Sequence, residues 1–505
     1  MKATLRPSGG HILDIDSLEI GDQFLSLAHN IHTRKGFPTR INGRRVAYPD
    51  APAGALHLLN LSLNTFNWWM VFGNNYIHGV EGSNDYDISL AGQLTVSNPR
   101  EWISTLLNGI PVFTNGKDSV LFWDGDGGNL VDIIPDWPAA TVCKAICAFR
   151  FHLFALNIDG PGGVIENGIL WSDAADPGTL PASWTPSAST EAGSAFISDT
   201  PGRCITGRAL GQQLMIYKPT SHYAAEYIGR PDIFSIRPIS RTIGVLGPHC
   251  VLEIDLRGPK HMIVGNDDIV ISDGVSVQSV ADNRIKRYLA NSIDEDNAAN
   301  SFLVRDSNKR ETWVCIPEAG NQFATVAHVW DEQRDTWVTR DLAAVRYATT
   351  GFVTDTAVSN TWDNQSVTWD NAIQLWNASS DAAIPRILSA EAADLILEDT
   401  ADITSITANL VKRDMHFGDS DIFKLTQRVW IVGSGDMTGV QFRLGKRNAV
   451  DDSTPIQWGP FVNRATGGTP YEISGRFISI EVQCTGTGIW TLDHIQITAV
   501  DNGSQ

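Results

Sequence analysis

Short apolar runs separated by tight turns constrain this chain more than any other feature of its sequence. Between residues 102 and 125 the runs are interrupted by Asn108-Gly109, by Asn115-Gly116 and by Asp124-Gly125. Asn-Gly or Asp-Gly between apolar runs is the strongest local signal for a β-hairpin, because the residues of such a turn adopt left-handed backbone conformations. The segment therefore predicts a three-stranded antiparallel meander.

Related units return along the chain at intervals of tens of residues. Each consists of a strand, a turn with Asp, Asn or Gly and often a returning strand, and many have Trp at a strand end; such units include residues 168–173, 213–229, 261–280, 312–317 and 327–342. The 44 Gly and 16 Trp in 505 residues supply many turns and large packing anchors. Recurring hairpins without a strict sequence period are typical of an irregular β-propeller. We therefore predict an all-β protein with a propeller-like main body over residues 54–377.

Four regions follow from the changes of pattern. Residues 1–53 form an N-terminal segment, and residues 54–377 form the propeller body. Residues 378–405 are rich in Ala and acidic residues with weak periodicity, which predicts a linker or crossover. Residues 406–505 contain predicted strands at 423–432, 439–444, 477–483 and 489–497, as in a small β-sandwich.

Two further segments give explicit local predictions. Apolar residues alternate from 147 to 155, so residues 147–158 are predicted as one strand that is covered mostly on one side. Residues 282–293 predict the one clear helix, with Asp282 as its N-cap and with Ile285, Tyr288, Leu289 and Ile293 on its core face.

The tryptophans recur most regularly in TWDNQSVTWDNAIQLWN, where Trp362, Trp369 and Trp376 are seven residues apart. A helix would align them, but the Asp-Asn pairs favour turns over helix interiors. We interpret them as packing aromatics at strand ends. The same interpretation covers Trp123, Trp171 and Trp330. Stacking platforms for sugars are the alternative, since such platforms also use Trp.

Charge separates one short segment from the rest of the protein. The chain has 57 acidic and 38 basic residues, a formal charge of −19, which disfavours a surface that coats nucleic acid. Against this background a basic hairpin is predicted around Asn42-Gly43, with five cationic residues: Arg34, Lys35, Arg40, Arg44 and Arg45. It is either an intramolecular partner for acidic groups or a docking surface, and phosphate contact is a third alternative.

The sequence offers no recognised catalytic or metal motif. Residues 439–447 lack P-loop spacing, residues 124–135 lack the closing Glu of a calcium loop, and Cys143 and Cys147 have no second ligand pair at zinc spacing. The six cysteines show no disulfide framework, and no signal peptide or membrane-spanning run is visible. We expect a protein without catalytic residues, metal or cofactor.

The order of several segments resembles the tail nozzle proteins of short-tailed bacteriophages, the group of tail tubular protein B and the packaged-DNA stabilisation proteins. These segments are NIHTRKGFPTRINGRRV, AICAFRFHLFALNI, GILWSDAADPGTLPASWTP, LMIYKPTSHYAAEYIG, GPHCVLEIDLRGPKHMIVGNDDIVISDG, HVWDEQRDTWV and SGRFISIEVQ. They extend over roughly residues 25–500, and the WSDAADP…SWTP element is the most specific of them.

This resemblance implies a structural protein of the virion tail, made in the host cytoplasm. Such nozzles are β-propeller proteins that form hexameric rings below the adaptor ring of the head-to-tail connector. They retain packaged DNA, conduct double-stranded DNA during ejection, and carry fibres or tailspikes. The basic segment would then contact the ring or the adaptor. A carbohydrate-binding or carbohydrate-cleaving propeller, and a cellular scaffold, remain the alternatives.

Overall fold

The computed structural model describes residues 1–33, 35–63, 66–82, 84–93, 95–353, 385–400, 405–450, 454–486 and 488–503. Strands dominate these residues. The first five strands are short and lie in the N-terminal segment: β1 (Lys2–Leu5), β2 (Leu27–His29), β3 (Ile31–His32), β4 (Thr39–Arg40) and β5 (Gly43–Val46). None of them belongs to a sheet of the N-terminal segment alone: β3 pairs with β4, and the other four pair with strands from much later in the chain.

Five four-stranded antiparallel blades follow in sequence order. Their strands are β6 (His57–Leu63), β7 (Phe66–Phe72), β8 (Ile77–Glu81) and β9 (Asn84–Asp87); β10 (Ile103–Leu107), β11 (Ile110–Thr114), β12 (Leu121–Phe122) and β13 (Asp132–Ile133); β14 (Val142–Phe149), β15 (His152–Gly160), β16 (Gly163–Trp171) and β17 (Gly193–Phe196); β18 (Thr206–Leu210), β19 (Gln213–Tyr217), β20 (His222–Gly229) and β21 (Ile233–Ser240); β22 (Val251–Asp255), β23 (Pro259–Val264), β24 (Ile269–Ser272) and β25 (Val277–Ser279).

A short helix and two more four-stranded units complete the main body. The helix α1 (Lys286–Ser292) precedes the strands β26 (Phe302–Asp306), β27 (Glu311–Ile316), β28 (Ala324–Asp331), β29 (Thr336–Val345), β30 (Tyr347–Phe352), β31 (Pro385–Ala390) and β32 (Leu395–Thr400). Two 3-10 turns lie at Pro99–Glu101 and Ala298–Asn300. The last blade has the strand order β30-β31-β32-β5, so its outer strand comes from the N-terminal segment.

These units surround one axis. First strands of neighbouring units contact each other from β10 through β14 to β18 and from β22 through β26 to β30, and β30 of the last blade lies beside β6 of the first. Six separate four-stranded blades, together with the β26–β29 part of a larger sheet, build this ring. The predicted all-β class with a propeller main body is therefore confirmed.

The C-terminal strands form two facing sheets. They are β33 (Ile406–Met415), β34 (Lys424–Gly435), β35 (Val440–Arg447), β36 (Gln457–Trp458), β37 (Val462–Asn463), β38 (Thr469–Pro470), β39 (Ser474–Gly475), β40 (Phe477–Gly486) and β41 (Trp490–Asp501). One sheet has the order β3-β4-β41-β34-β38, with β1 and β39 added beside β41 and β34. The other sheet continues from β29 through β2 to β33, β40 and β35. Alternate buried residues such as Ile497, Phe442 and Val482 share one core, as in a β-sandwich.

Three sequence predictions are corrected by the structure. Residues 385–400, assigned to a linker or crossover, contribute two strands of the last blade. The single strand predicted over 147–158 is a hairpin instead, with its turn at Arg150 and Phe151, and Arg150 has a φ of 54°. The helix is shorter than predicted, and Asp14 caps it in place of Asp282 by accepting hydrogen bonds from the backbone NH groups of Arg287 and Tyr288.

The predicted hairpin turns are otherwise largely where the sequence puts them. Leu107 pairs with Ile110 around Asn108 and Gly109, whose φ angles are 53° and 86°, as a type I′ turn requires. The Trp362, Trp369 and Trp376 repeat lies outside the described residues. In the part of the chain that is described, we find no helix with the length and apolar character needed to cross a membrane.

Candidate functional site

The segment predicted as one basic hairpin is divided between two sheets of the structure. Ile31 and His32 of β3 pair with β4 in the sandwich, whereas β5 pairs with β32 in the last blade. Asn42-Gly43 therefore connects two sheets and does not turn a hairpin, because each flanking strand finds its partner elsewhere. Among the five cationic residues of the prediction, Arg34 lies outside the described residues and Lys35 is exposed.

Arg40 is buried, with 1% of its surface exposed. Its guanidinium donates hydrogen bonds to the backbone carbonyls of Ile406 at 3.1 Å and Gly488 at 3.4 Å, and also to that of Gly486. Burial lowers the pKa of Arg40 from its ordinary value. This arginine connects the start of β33, the end of β40 and the residue Gly488 before β41, and is not available to a partner.

Arg44 and Arg45 lie on β5, at the edge of the last blade. Arg44 forms an ion pair with Glu391, which follows β31. Arg45 is half-buried, and its backbone is paired with Leu397 of β32. The intramolecular alternative therefore fits Arg44, which pairs with a carboxylate. Arg40 is also held within the protein, but by carbonyl groups, and Lys35 is exposed.

A buried ionic cluster, here called the junction cluster, lies next to this segment. It consists of His32, Lys309, Glu311, Arg340, Glu398 and Asp399. His32 contacts Glu311 through Nδ1 at 2.8 Å and Asp399 through Nε2 at 3.3 Å. Arg340 contacts Glu398 at 2.8 Å and Asp399 at 3.3 Å, and Lys309 forms an ion pair with Asp399. The cluster joins the N-terminal segment to the β26–β29 unit and to the last blade.

The charges of this cluster fix the protonation of its members. Burial would lower the pKa of His32, but the carboxylates of Glu311 and Asp399 outweigh burial and raise it to about 9. Burial would likewise raise the pKa of Asp399, yet Arg340, His32 and Lys309 hold it well below its usual value. His32 is therefore a cation at neutral pH. An imidazolium between two carboxylates acts as a fixed electrostatic link between elements.

A groove of about 960 Å³, here called the junction groove, lies between the propeller and the sandwich. Its wall residues include Ile12, His29, Tyr288, Arg413, Arg447 and Trp458. His29 is held by Thr339 at 3.0 Å and by Asp341 at 2.9 Å, and Arg447 forms an ion pair with Asp414. Polar and apolar side chains line this groove in similar measure.

The aromatics predicted for blade packing are buried where the structure describes them. Trp123, Trp171 and Trp330 are 1%, 7% and 2% exposed. Each indole NH also donates a hydrogen bond: Trp123 to the carbonyl of Asp126 at 3.2 Å, Trp171 to the carbonyl of Glu191 at 2.8 Å, and Trp330 to the carboxylate of Asp335 at 2.9 Å. Their faces are unavailable to stack on a sugar ring.

Sequence reasoning missed the junction cluster. His32 lies within the quoted basic segment, but its partners Glu311 and Asp399 are 279 and 367 residues away, so no local pattern could indicate them. No group of three or more His, Cys, Asp or Glu side chains suited to a metal ion occurs among the described residues.

Comparison with known proteins gives matches to solved structures only. No protein family and no curated protein matches the chain. The extracellular domain of a hybrid two-component system from B. thetaiotaomicron is 12% identical, with 81% of this chain and 45% of that chain covered and a TM-score of 0.41. PorZ of the Porphyromonas gingivalis type-IX secretion system is 8% identical over 76% and 44%, with a TM-score of 0.36. The β-propeller domain of Myceliophteria thermophila Swd1 is 8% identical over 61% and 92%, with a TM-score of 0.38. This chain thus spans less than half the length of the first two.

Proposed function

We propose that this protein is a structural subunit of a phage tail nozzle, which forms a ring below the head-to-tail connector and conducts DNA during ejection. The observation that carries the proposal is the continuous joining of propeller and sandwich by the first 46 residues. Strand β2 lies between β29 of the propeller and β33 of the sandwich, and β5 closes the last blade. A subunit built this way transmits force from one part to the other through hydrogen-bonded sheet and not through a flexible linker.

The segments that carry the family resemblance support the same proposal. They include the strands of several blades, the N-terminal segment that joins the two parts, and the β40 strand of the sandwich. The resemblance therefore involves both parts of the molecule and the connection between them. A hexameric ring, an adaptor contact and attached fibres or tailspikes are the partners that we propose on this basis.

The acidic charge fits the conduction of DNA. With 57 acidic against 38 basic residues, the protein repels a polyanion on average. Walls of the same sign as DNA avoid a strong, salt-dependent attachment, so a genome slides past them. Neutralising carboxylates of the ring lumen without any change in DNA retention or ejection would count against this role.

Lys35 is the basic residue that we propose for the contact with the ring or the adaptor. It is exposed, lies in the turn between β3 and β4, and makes no hydrogen bond or ion pair with any described residue. A lysine of this kind adds to association mainly by electrostatic steering. The contact is tested by Lys35→Glu, which we expect to weaken assembly while leaving the monomer folded.

The copy number of the protein in purified virus particles tests the proposal directly. Quantitative peptide mass spectrometry against the portal protein should give about one nozzle chain for two portal chains, because a six-fold ring would stand on a twelve-fold connector. Absence from particles would overturn the proposal. A cellular scaffold would then be the first alternative, and glycan binding would be examined with the tryptophans outside the described residues.

A further inference from the structure

The centre of the propeller contains a second cavity, whose lining residues differ from those of the junction groove. It has a volume of about 280 Å³. It is lined by residues on or beside the strands β18, β22, β26 and β30, each of which is the first strand of its unit. Its charged lining residues are Arg208, Glu253 and Arg305. Because these strands are the innermost of their blades, the cavity lies on the propeller axis.

Arg208 is a cation of this cavity that has no ionic partner among the described residues. It lies on β18, is exposed, lines the cavity, and makes no hydrogen bond or ion pair with any residue that the structure describes. Arg305 differs, since its guanidinium is held by Glu332 through two hydrogen bonds of 2.7 Å. In a protein with 19 more acidic than basic residues, an arginine without a carboxylate partner is a local positive centre.

His249 and Tyr347 line the cavity with Arg208, and the ring of His57 packs against both of them. The centroid of His57 lies 5.0 Å from that of His249 and 4.3 Å from that of Tyr347, and His249 lies 4.7 Å from Tyr347. His57 is 3% exposed, donates or accepts through Nε2 with Ser104 at 2.8 Å, and leaves Nδ1 without a partner among the described residues. Burial lowers the pKa of His249 to about 4, so this ring is neutral at physiological pH.

We infer that this axial cavity binds a small anion that carries a carboxylate or a phosphate group, with Arg208 as its main cationic contact. The guanidinium offers two parallel N–H donors to such a group. Tyr347 and Thr349 line the same cavity and add hydroxyl groups. Glu253 at the cavity limits the charge that the ligand can carry on that side.

Calorimetric titration of the full chain with inorganic phosphate and, separately, with succinate tests this site. Arg208→Gln should weaken the binding of the recognised anion by about ten-fold or more, since a charge-assisted contact is lost. Arg287→Gln is the matched control, because it removes one positive charge from the exposed face of α1, away from the axis. The affinity of the Arg287→Gln protein for the anion should equal that of the unsubstituted protein.

A second measurement separates binding from a change of fold. With histidines labelled at ¹³Cε1, the signal that disappears in His249→Gln is that of His249, and this signal should shift on addition of the anion. Response to phosphate alone or to succinate alone identifies the group that the site recognises. The inference is overturned if neither anion binds, if Arg208→Gln binds as the unsubstituted protein does, or if both arginine variants lose affinity equally.

Discussion

His32 shows how a single side chain obtains its charge from neighbours that are distant in sequence. On its own, its burial beside the propeller would favour a neutral ring. The carboxylates of Glu311 and Asp399 reverse that preference and raise the pKa of His32 to about 9. The shift from 6.5 corresponds to about 3 kcal/mol of stability.

We predict that His32→Gln lowers the free energy of unfolding by about 3 kcal/mol at pH 6. Because the folded pKa lies above the unfolded value, the contribution of His32 is complete below pH 6.5, declines as the pH rises, and is lost above about 9. The two proteins should therefore converge in urea unfolding measured from pH 6 to pH 10. His494→Gln, at a partly exposed position, should unfold like the unsubstituted protein throughout. A pH-independent difference between His32→Gln and the unsubstituted protein would contradict this account.

Substitutions of Arg40 and Lys35 should affect the free energy of unfolding to very different extents. Arg40→Ala removes the donor for the carbonyls of Ile406 and Gly488, and we expect it to lower the free energy of unfolding by about 2 to 4 kcal/mol. Lys35→Ala, in the exposed turn, should change it by less than about 0.5 kcal/mol. Thermal unfolding of the two variants checks both values, and equal stability would show that Arg40 is not the structural contact described above.

At the scale of elements, the blades depend on turns whose backbone conformation only certain residues adopt easily. Gly109 has a φ of 86° and no heavy atom within 4 Å of an added Cβ, so any cost of a side chain there is conformational. Gly162, before β16, is equally open but has no left-handed φ.

We predict that Gly109→Ala destabilises the protein by about 1 kcal/mol, whereas Gly162→Ala is neutral or slightly stabilising. Alanine at position 109 must adopt the left-handed conformation, while at position 162 it only restricts the unfolded chain. Chemical denaturation of both variants measures the difference. Equal effects would mean that the turn at Asn108 and Gly109 adapts without strain.

The elements that could be predicted from the sequence are those whose signal is local. The hairpin at Asn108-Gly109 and the sandwich strands found at β34, β35, β40 and β41 follow from turn residues and apolar alternation. The turn at Arg150 was missed because neither Arg150 nor Phe151 is a usual turn residue. Strands β31 and β32 were missed because their Ala- and acid-rich sequence hides a weak alternation.

The candidate sites could be predicted less well, for a physical reason. The basic segment was visible as a cluster of like charges. Which of its side chains are held within the protein depends on Glu391 and on the carbonyl groups of residues 406, 486 and 488. Likewise, the axial position of Arg208 depends on the closure of the whole ring. Such contacts join residues hundreds of positions apart, and no local pattern encodes them.

At the scale of the whole molecule, the N-terminal segment holds the two parts together. Its strands pair with β41 in the sandwich, with β29 and β33 in the connecting sheet, and with β32 in the last blade. The side chain of Lys412 adds hydrogen bonds to the carbonyls of Ile20, Gly21 and Phe24. The boundary drawn at residue 53 therefore separates stretches of sequence but not independent folding units.

We predict that residues 54–505 alone are substantially less stable than the full chain, and that a separate polypeptide of residues 1–53 restores the loss. The reason is that the missing strands leave unpaired edges in three sheets. Co-purification of the two pieces and the thermal midpoint of residues 54–505 with and without the partner provide the test. A full-length midpoint for residues 54–505 by themselves would rule out this joining role.

The origin of β5 has a consequence for biosynthesis. Its partner residues in β32 emerge from the ribosome roughly 350 residues later, which at roughly 5 to 20 residues per second is a delay of tens of seconds. During that time the early blades of the nascent chain can already be complete, while the N-terminal strand β5 has no partner strand. Ring closure is thus a late event in translation, and the interval is when chaperones or neighbouring nascent chains have access to the open edge.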